Sequence, residues 1–370
     1  EVTVNRNIWL FNNSTDIWLL GFPVWLCWLS CFLVPESWHD QDIPLWFWVI
    51  IIVGIDVSHV WSTIFRTYLD KDEFQRHRTL LIVAPIIAVA SFFTAALISI
   101  NVFWTVLAYL ALYHFIKQQY GFMRLYQARY GKLDIKKRIS DKSVIYMGML
   151  YPVFYWHLNN QRKFSWFVEG DFFNINELTS SVTPFIPYIN AVGTTLYLLV
   201  LIYWLIQEVI IHKKQNLTFP IGKVLWIVTT AFNWFLGIVY FNSDFAFSLT
   251  NVVAHGIPYM ALMFFYVERK KQNKRAIPLG SIATHVIFML LVVLLLAFGE
   301  EYLWDMFVYR ENEGLFAGWF DYPFGQVTSY VATALALAAL SVPQVTHYIL
   351  DGFIWKANKK NPYVKKVLLP

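Results

Sequence analysis

The sequence predicts an all-α, polytopic integral membrane bundle of about ten transmembrane helices, and three observations predict it. Hydrophobic residues make up 58% of the chain and charged residues only 14%, whereas a soluble domain carries about a quarter charged. The apolar residues gather in ten runs, most of them near the roughly 20 residues that cross a bilayer. The short connections between runs alternate between basic and neutral or acidic. Together the runs and connections use nearly the whole chain, so residues 1–370 read as a single integral membrane domain.

Taken in order, the first run, 17–34, follows a polar start and carries Trp18, Trp25 and Trp28. It is long enough to span and reads as a retained helix instead of a cleaved signal. Cys27 and Cys31 stand four apart on its one face, which rules against a bridge between them. The second, 44–65, contains Asp56 and His59. Runs 80–100 and 102–125 meet so tightly around Asn101 that they must form a hairpin, and the latter holds His114 and Gln118. The fifth, 144–158, is short, with His157 near its end. Runs 185–211 and 220–241 are followed by 245–267, which bears Asn251, His255 and Tyr259. Run 279–298 carries His285, and 327–355 carries Pro343, His347 and Asp351.

The connections 66–78, 124–142, 212–214 and 269–275 and the tail from Lys356 are basic, while 36–42, 242–244 and 300–321 are neutral or acidic. By the positive-inside rule, both termini then face the cytoplasm. The net charge of +5 is explained by anchoring at helix ends, since the basic residues form no stripe that would bind nucleic acid. Segments 159–184 and 300–325 mix charges with Trp166, Phe167, Phe172 and Phe173, and with Phe316, Trp319, Phe320 and Tyr322, and read as interfacial caps on the outer side. No inverted repeat is evident, which speaks against a transporter of the repeat type. A bacterial inner (cytoplasmic) membrane is the expected location.

An ionisable side chain at membrane depth is expensive and marks function by default. Five histidines lie in the runs: His59, His114, His255, His285 and His347. Counting to the nearest basic loop places them roughly 10 to 21 Å from the inner surface. Asp56 precedes His59 by three, Gln118 follows His114 by four, Asn251 precedes His255 by four and Asp351 follows His347 by four. These spacings share a helical face. A metal-bound imidazole gives its other N–H to such a partner, so the pattern points to a buried metal site. His285 has only Ser281 and Thr284 nearby and is the least supported ligand; His77 reads as a solvated loop residue.

Imidazole-rich, thiolate-free ligation suits iron, zinc, copper or nickel and argues against magnesium or calcium. Asp56 or Asp351 would compensate the ion's charge and could themselves ligate. The doubled histidine boxes of membrane desaturases, HxxxH and HxxHH, do not occur.

Four segments, GIDVSHVW, ALYHFIKQQYGF, NVVAHGIPYM and SVPQVTHYILDGFIWK, resemble in order and setting those of the bacterial and archaeal Brp/Blh membrane carotene dioxygenases. The likeness rests on His114-Phe115 and on Val342-Pro343, His347, Asp351, Phe353 and Lys356, and covers about a fifth of the chain. It departs where the family has an HG motif, because Val60 follows His59, and where the family has two nearby histidines against His255 alone. The resemblance implies a non-haem iron oxygenase architecture more than it implies carotene as substrate.

The residues and the resemblance together point to a histidine-ligated membrane metalloenzyme, a non-haem iron oxygenase acting on a lipid or isoprenoid. Fe(II) is the expected cofactor, held among His59, His114, His255, His347, Asp351 and His285. Asp56, Gln118, Tyr120 and Tyr259 are the candidate catalytic residues, the tyrosines because each stands near a proposed ligand. Gly121, Gly256, Pro258 and Pro343 offer places where helices could kink to admit a lipophilic substrate from the membrane lipids. The basic cytoplasmic face could dock an electron donor if the reaction is a hydroxylation. The alternatives are an intramembrane zinc-dependent lipid hydrolase, in which zinc activates water, and a proton-coupled transporter.

Overall fold

A computed structural model describes residues 6–131, 134–159, 161–274 and 279–369. All ten apolar runs are helical, and no strand occurs among the described residues. The principal helices are α1 (Asn13–Leu33), α2 (Leu45–Phe65), α3 (Arg78–Ile98), α4 (Ile100–Tyr130), α5 (Ile135–Leu158), α6 (Ile186–Lys214) and α7 (Ile221–Tyr240). They are followed by α8 (Asp244–Lys274), α9 (Leu279–Trp304), α10 (Tyr330–Leu340) and α11 (Val342–Ile354). Among the described residues, eight helices are long and apolar enough to cross a membrane, or nine if α10 and α11, bent by 43° to each other, make one span. The expected fifth span is not among them. Its helix begins at Ile135, so a charged first third precedes the apolar stretch. The bend between α10 and α11 falls at Ser341, just before Pro343, whose ring cannot continue the hydrogen-bond ladder.

The chain divides into two compact units, one of residues Glu1–Pro44, Leu112–Pro258 and Leu368–Pro370, the other of Leu45–Ala111 and Tyr259–Val367. In the first unit, α5 packs against α6 and α7. Helix α1 lies on α7 through Trp25, whose indole donates to Thr229 Oγ1 at 3.0 Å, and Trp28, whose indole donates to Asn233 Oδ1 at 2.9 Å. One face of α6 remains apolar and exposed, including Leu199, Ile202 and Ile206, the surface that lipid tails would cover.

Where α5, α6 and α7 meet the end of α4, the first unit buries a charged knot. Lys223 Nζ reaches Asp141 Oδ2 at 2.7 Å and Glu208 Oε1 at 2.9 Å. Lys137 pairs with the same two acids, Asp141 at 3.0 Å. The Gln127 amide and Trp204 indole donate to Asp141 at 2.8 and 3.0 Å, and His212 Nδ1 stands 3.2 Å from Glu208 Oε2. Burial alone would raise the Asp141 pKa, but the Lys223 and Lys137 ammoniums hold its carboxyl down at about 2. His212 is buried in this knot.

In the second unit, α3 packs on α10 and α11, and α9 packs on α2. The hairpin of α3 and α4 turns on the single extended residue Ser99, whose Oγ accepts from Val102 N–H at 3.0 Å. Phe92 and Phe103 meet edge to face across it at 5.5 Å. His77 is buried, with Nε2 2.8 Å from Asn361 Oδ1, instead of solvated. The two aromatic segments also pack inward in part. Phe316 is fully buried against Trp48, Phe298 and Tyr302, though Trp319 stays exposed. In the first unit Trp166 lies against Phe172 and Phe247.

Candidate metal centre

In the second unit, α2 widens to π-helix over Trp48–Val57 and tightens to α-helix over Ser58–Ser62, which presents His59 on a buried face. Past the Ser341 bend, α11 presents His347. The two imidazoles cross edge to face, with centroids 5.0 Å apart at 78°. The Tyr259 ring lies against both, at 5.7 Å from His59 and 4.9 Å from His347. Asp56 Oδ1 is 3.5 Å from His59 Nδ1, and Asp351 Oδ2 is 3.9 Å from His347 Nε2.

A hydroxyl chain orients His347. The Tyr259 hydroxyl donates to Asp351 Oδ1 at 2.7 Å, and Thr63 Oγ1 stands 3.0 Å from the Tyr259 oxygen and 2.8 Å from His347 Nδ1. Each hydroxyl has one proton. With Asp351 as acceptor, the Tyr259 proton is used there, and the Thr63 proton goes to the Tyr259 oxygen. His347 Nδ1–H must then donate to Thr63, which leaves the lone pair on Nε2, the atom available to a metal. This is how an outer partner sets the tautomer of a ligating histidine. Thr63 follows His59 by four, a same-face signal that the sequence offered and sequence reasoning passed over. Thr63→Val breaks the chain with little change of volume; metal affinity measured by chelator competition should fall 10- to 100-fold, and an unchanged affinity would remove Thr63 from the site.

In the first unit, α4 presents His114 and α8 presents His255, crossed at 4.9 Å and 81°. Phe115 stacks flat on His255 at 3.6 Å, backed edge-on by Trp166 at 4.9 Å. Two amides tie the helices. The Gln118 amide donates to the His255 carbonyl at 2.8 Å, and that of Gln119 to the Ala254 carbonyl at 3.1 Å. Gln118 thus positions the backbone under His255, and the Asn251 amide donates to Phe247 of its own helix at 3.1 Å.

Other expected residues lie elsewhere. Tyr120 packs on Tyr146 at 5.2 Å, with the Lys117 and Lys142 ammoniums over its ring. Six residues from His114 is about 240° round a helix, which points it away from the histidine face. His285 is partly exposed with Nδ1 3.9 Å from Glu268 Oε1, and is brought to neither pair. Arg275, and the side chains of Ser281 and Thr284, lie outside the described residues. Cys27 and Cys31 are buried on α1, so no thiolate joins the histidines.

His59 with His347 in the second unit, and His114 with His255 in the first, are buried imidazole pairs whose ring nitrogens could bind a metal ion. Set against family models, curated proteins and solved structures, the chain matches none.

Proposed function

We propose that these four histidines close on one Fe(II) ion and that the protein is a membrane-embedded oxygenase of a lipid or isoprenoid. The observation that supports this most is the crossed, buried imidazole pair in each unit. Neutral imidazoles leave the charge of a divalent ion uncompensated, and Asp56 and Asp351 stand where they would balance it. The donor set of nitrogen with nearby carboxylate and no thiolate suits iron. The likeness to the Brp/Blh carotene dioxygenases points the same way.

Bound there, iron would supply the activation of O₂ that side chains alone lack. The chain's own residues would do the rest. The Thr63–Tyr259–Asp351 chain holds a proton on His347 Nδ1 and fixes its ring, and Phe115, Trp166 and Tyr259 keep apolar surface against the imidazoles and exclude water. The exposed apolar faces of the helices support a substrate that would arrive from the lipid. The test is oxygen uptake by the iron-loaded protein in lipid nanodiscs. Uptake should require both iron and an added lipid or isoprenoid extract. Fatty-acid release by a zinc-loaded sample, with no oxygen uptake by the iron-loaded one, would replace the oxygenase with a hydrolase.

A further inference from the structure

Tyr120, turned away from the histidines, belongs to a separate cluster on the exposed surface of the first unit. On α4, Tyr113, Lys117 and Tyr120 follow one another by four and by three and share a face. On α5, Lys142, Tyr146, Leu150 and Phe154 stand four apart along another. The two faces meet where the Tyr120 and Tyr146 rings pack at 5.2 Å. Lys117 Nζ donates to the Tyr146 hydroxyl at 3.3 Å and lies 5.2 Å from the centre of the Tyr120 ring and 6.0 Å from that of Tyr113. Lys142 Nζ lies 5.9 Å from the Tyr120 ring and 6.0 Å from the Tyr146 ring. Two ammoniums from different helices thus gather at one pair of tyrosines.

Both lysines are exposed, and no acid pairs with either among the described residues. Asp141, next in sequence to Lys142, is fully buried and turned inward to Lys137 and Lys223. Further along the Lys142 stripe, Leu150 and Phe154 are exposed and apolar. An apolar stripe that ends in lysines and tyrosines fits the boundary of a bilayer, where tails cover the stripe and ammoniums reach the head groups. From Lys142 to Phe154 α5 rises about 18 Å, comparable with the roughly 15 Å of hydrocarbon in one leaflet. A zwitterionic head group brings its own cation, which two unneutralised ammoniums repel, whereas an anionic one does not. We propose that Lys117 and Lys142 hold the phosphodiester of an anionic phospholipid, and that one of its acyl chains lies along Tyr146, Leu150 and Phe154. A free phosphate or an acidic protein segment would meet the charge and leave the apolar stripe uncovered. The site is independent of the histidines and of any metal they hold.

Native mass spectrometry of the full chain in detergent micelles tests it, with phosphatidylglycerol and phosphatidylcholine of the same acyl chains as probes. A basic residue at a lipid surface is worth roughly fivefold in affinity. Wild type should therefore hold phosphatidylglycerol about tenfold or more tighter than phosphatidylcholine. Lys117→Gln with Lys142→Gln should bring the two lipids to parity, and Lys117→Arg with Lys142→Arg should keep the preference. The control, Lys213→Gln with Lys214→Gln, takes two exposed lysines from the end of α6 and should also keep it. All four lysines are exposed, so every variant should elute as wild type does in size-exclusion chromatography. Equal binding of the two lipids by wild type would overturn the proposal. An equal loss in the α6 control would overturn it too, because the preference would then follow overall charge. Inorganic phosphate displacing the lipid better than chloride at the same ionic strength would make free phosphate the ligand, and hexaglutamate doing so would make it an acidic segment; either result removes the lipid.

Discussion

Alanine in place of His347 should strip the purified protein of its metal. The substitution removes one imidazole of a crossed pair and leaves the Thr63–Tyr259–Asp351 chain with no ring to orient. Losing an outer partner alone costs 10- to 100-fold in metal affinity, so losing a ligand should cost more than 100-fold. His59→Ala, His114→Ala and His255→Ala should behave alike, because each empties half of a pair. His285→Ala is the internal control: its side chain faces Glu268, and metal content should stay that of wild type. Elemental analysis after size-exclusion chromatography reads all five. Retention of full metal by any two of the four variants would break the proposed ligand set.

Lys223→Met should produce the largest loss of stability among these substitutions. Lys223 and Lys137 balance Asp141 and Glu208 in a knot that is almost fully sealed from solvent. Taking away one ammonium leaves two buried carboxylates sharing the other, and removing one partner of a buried ion pair costs about 3–5 kcal/mol. Denaturant unfolding in detergent micelles measures it. Adding Asp141→Asn to Lys223→Met restores charge balance and should return part of the loss, a coupling that an isolated surface lysine would not show. A change below about 1 kcal/mol would mean that water reaches the knot.

Helix positions were legible in the sequence because a long apolar run has few other ways to satisfy its backbone. The Pro343 bend was legible for a similar reason, since proline removes a ladder bond wherever it falls. The four histidines stood out because an imidazole is costly at that depth, and the i, i+4 rule correctly put Asp351 beside His347. The same rule misled at Gln118, whose amide reaches across to α8, because spacing along one helix says nothing of a neighbouring helix. Lys137, Lys223 and Glu208 were hidden more deeply. Single charges near helix ends look like membrane anchors until tertiary packing brings four of them together.

X-ray absorption at the metal edge of the purified protein decides whether the four histidines hold iron. About one iron per chain is expected, bound mainly by imidazole nitrogen, and that signature should be lost in the His347→Ala protein. A sample purified without chelators that contains zinc would contradict the oxygenase; one that binds no metal at all, or shows the same shell after the four histidines are replaced, would contradict the centre itself.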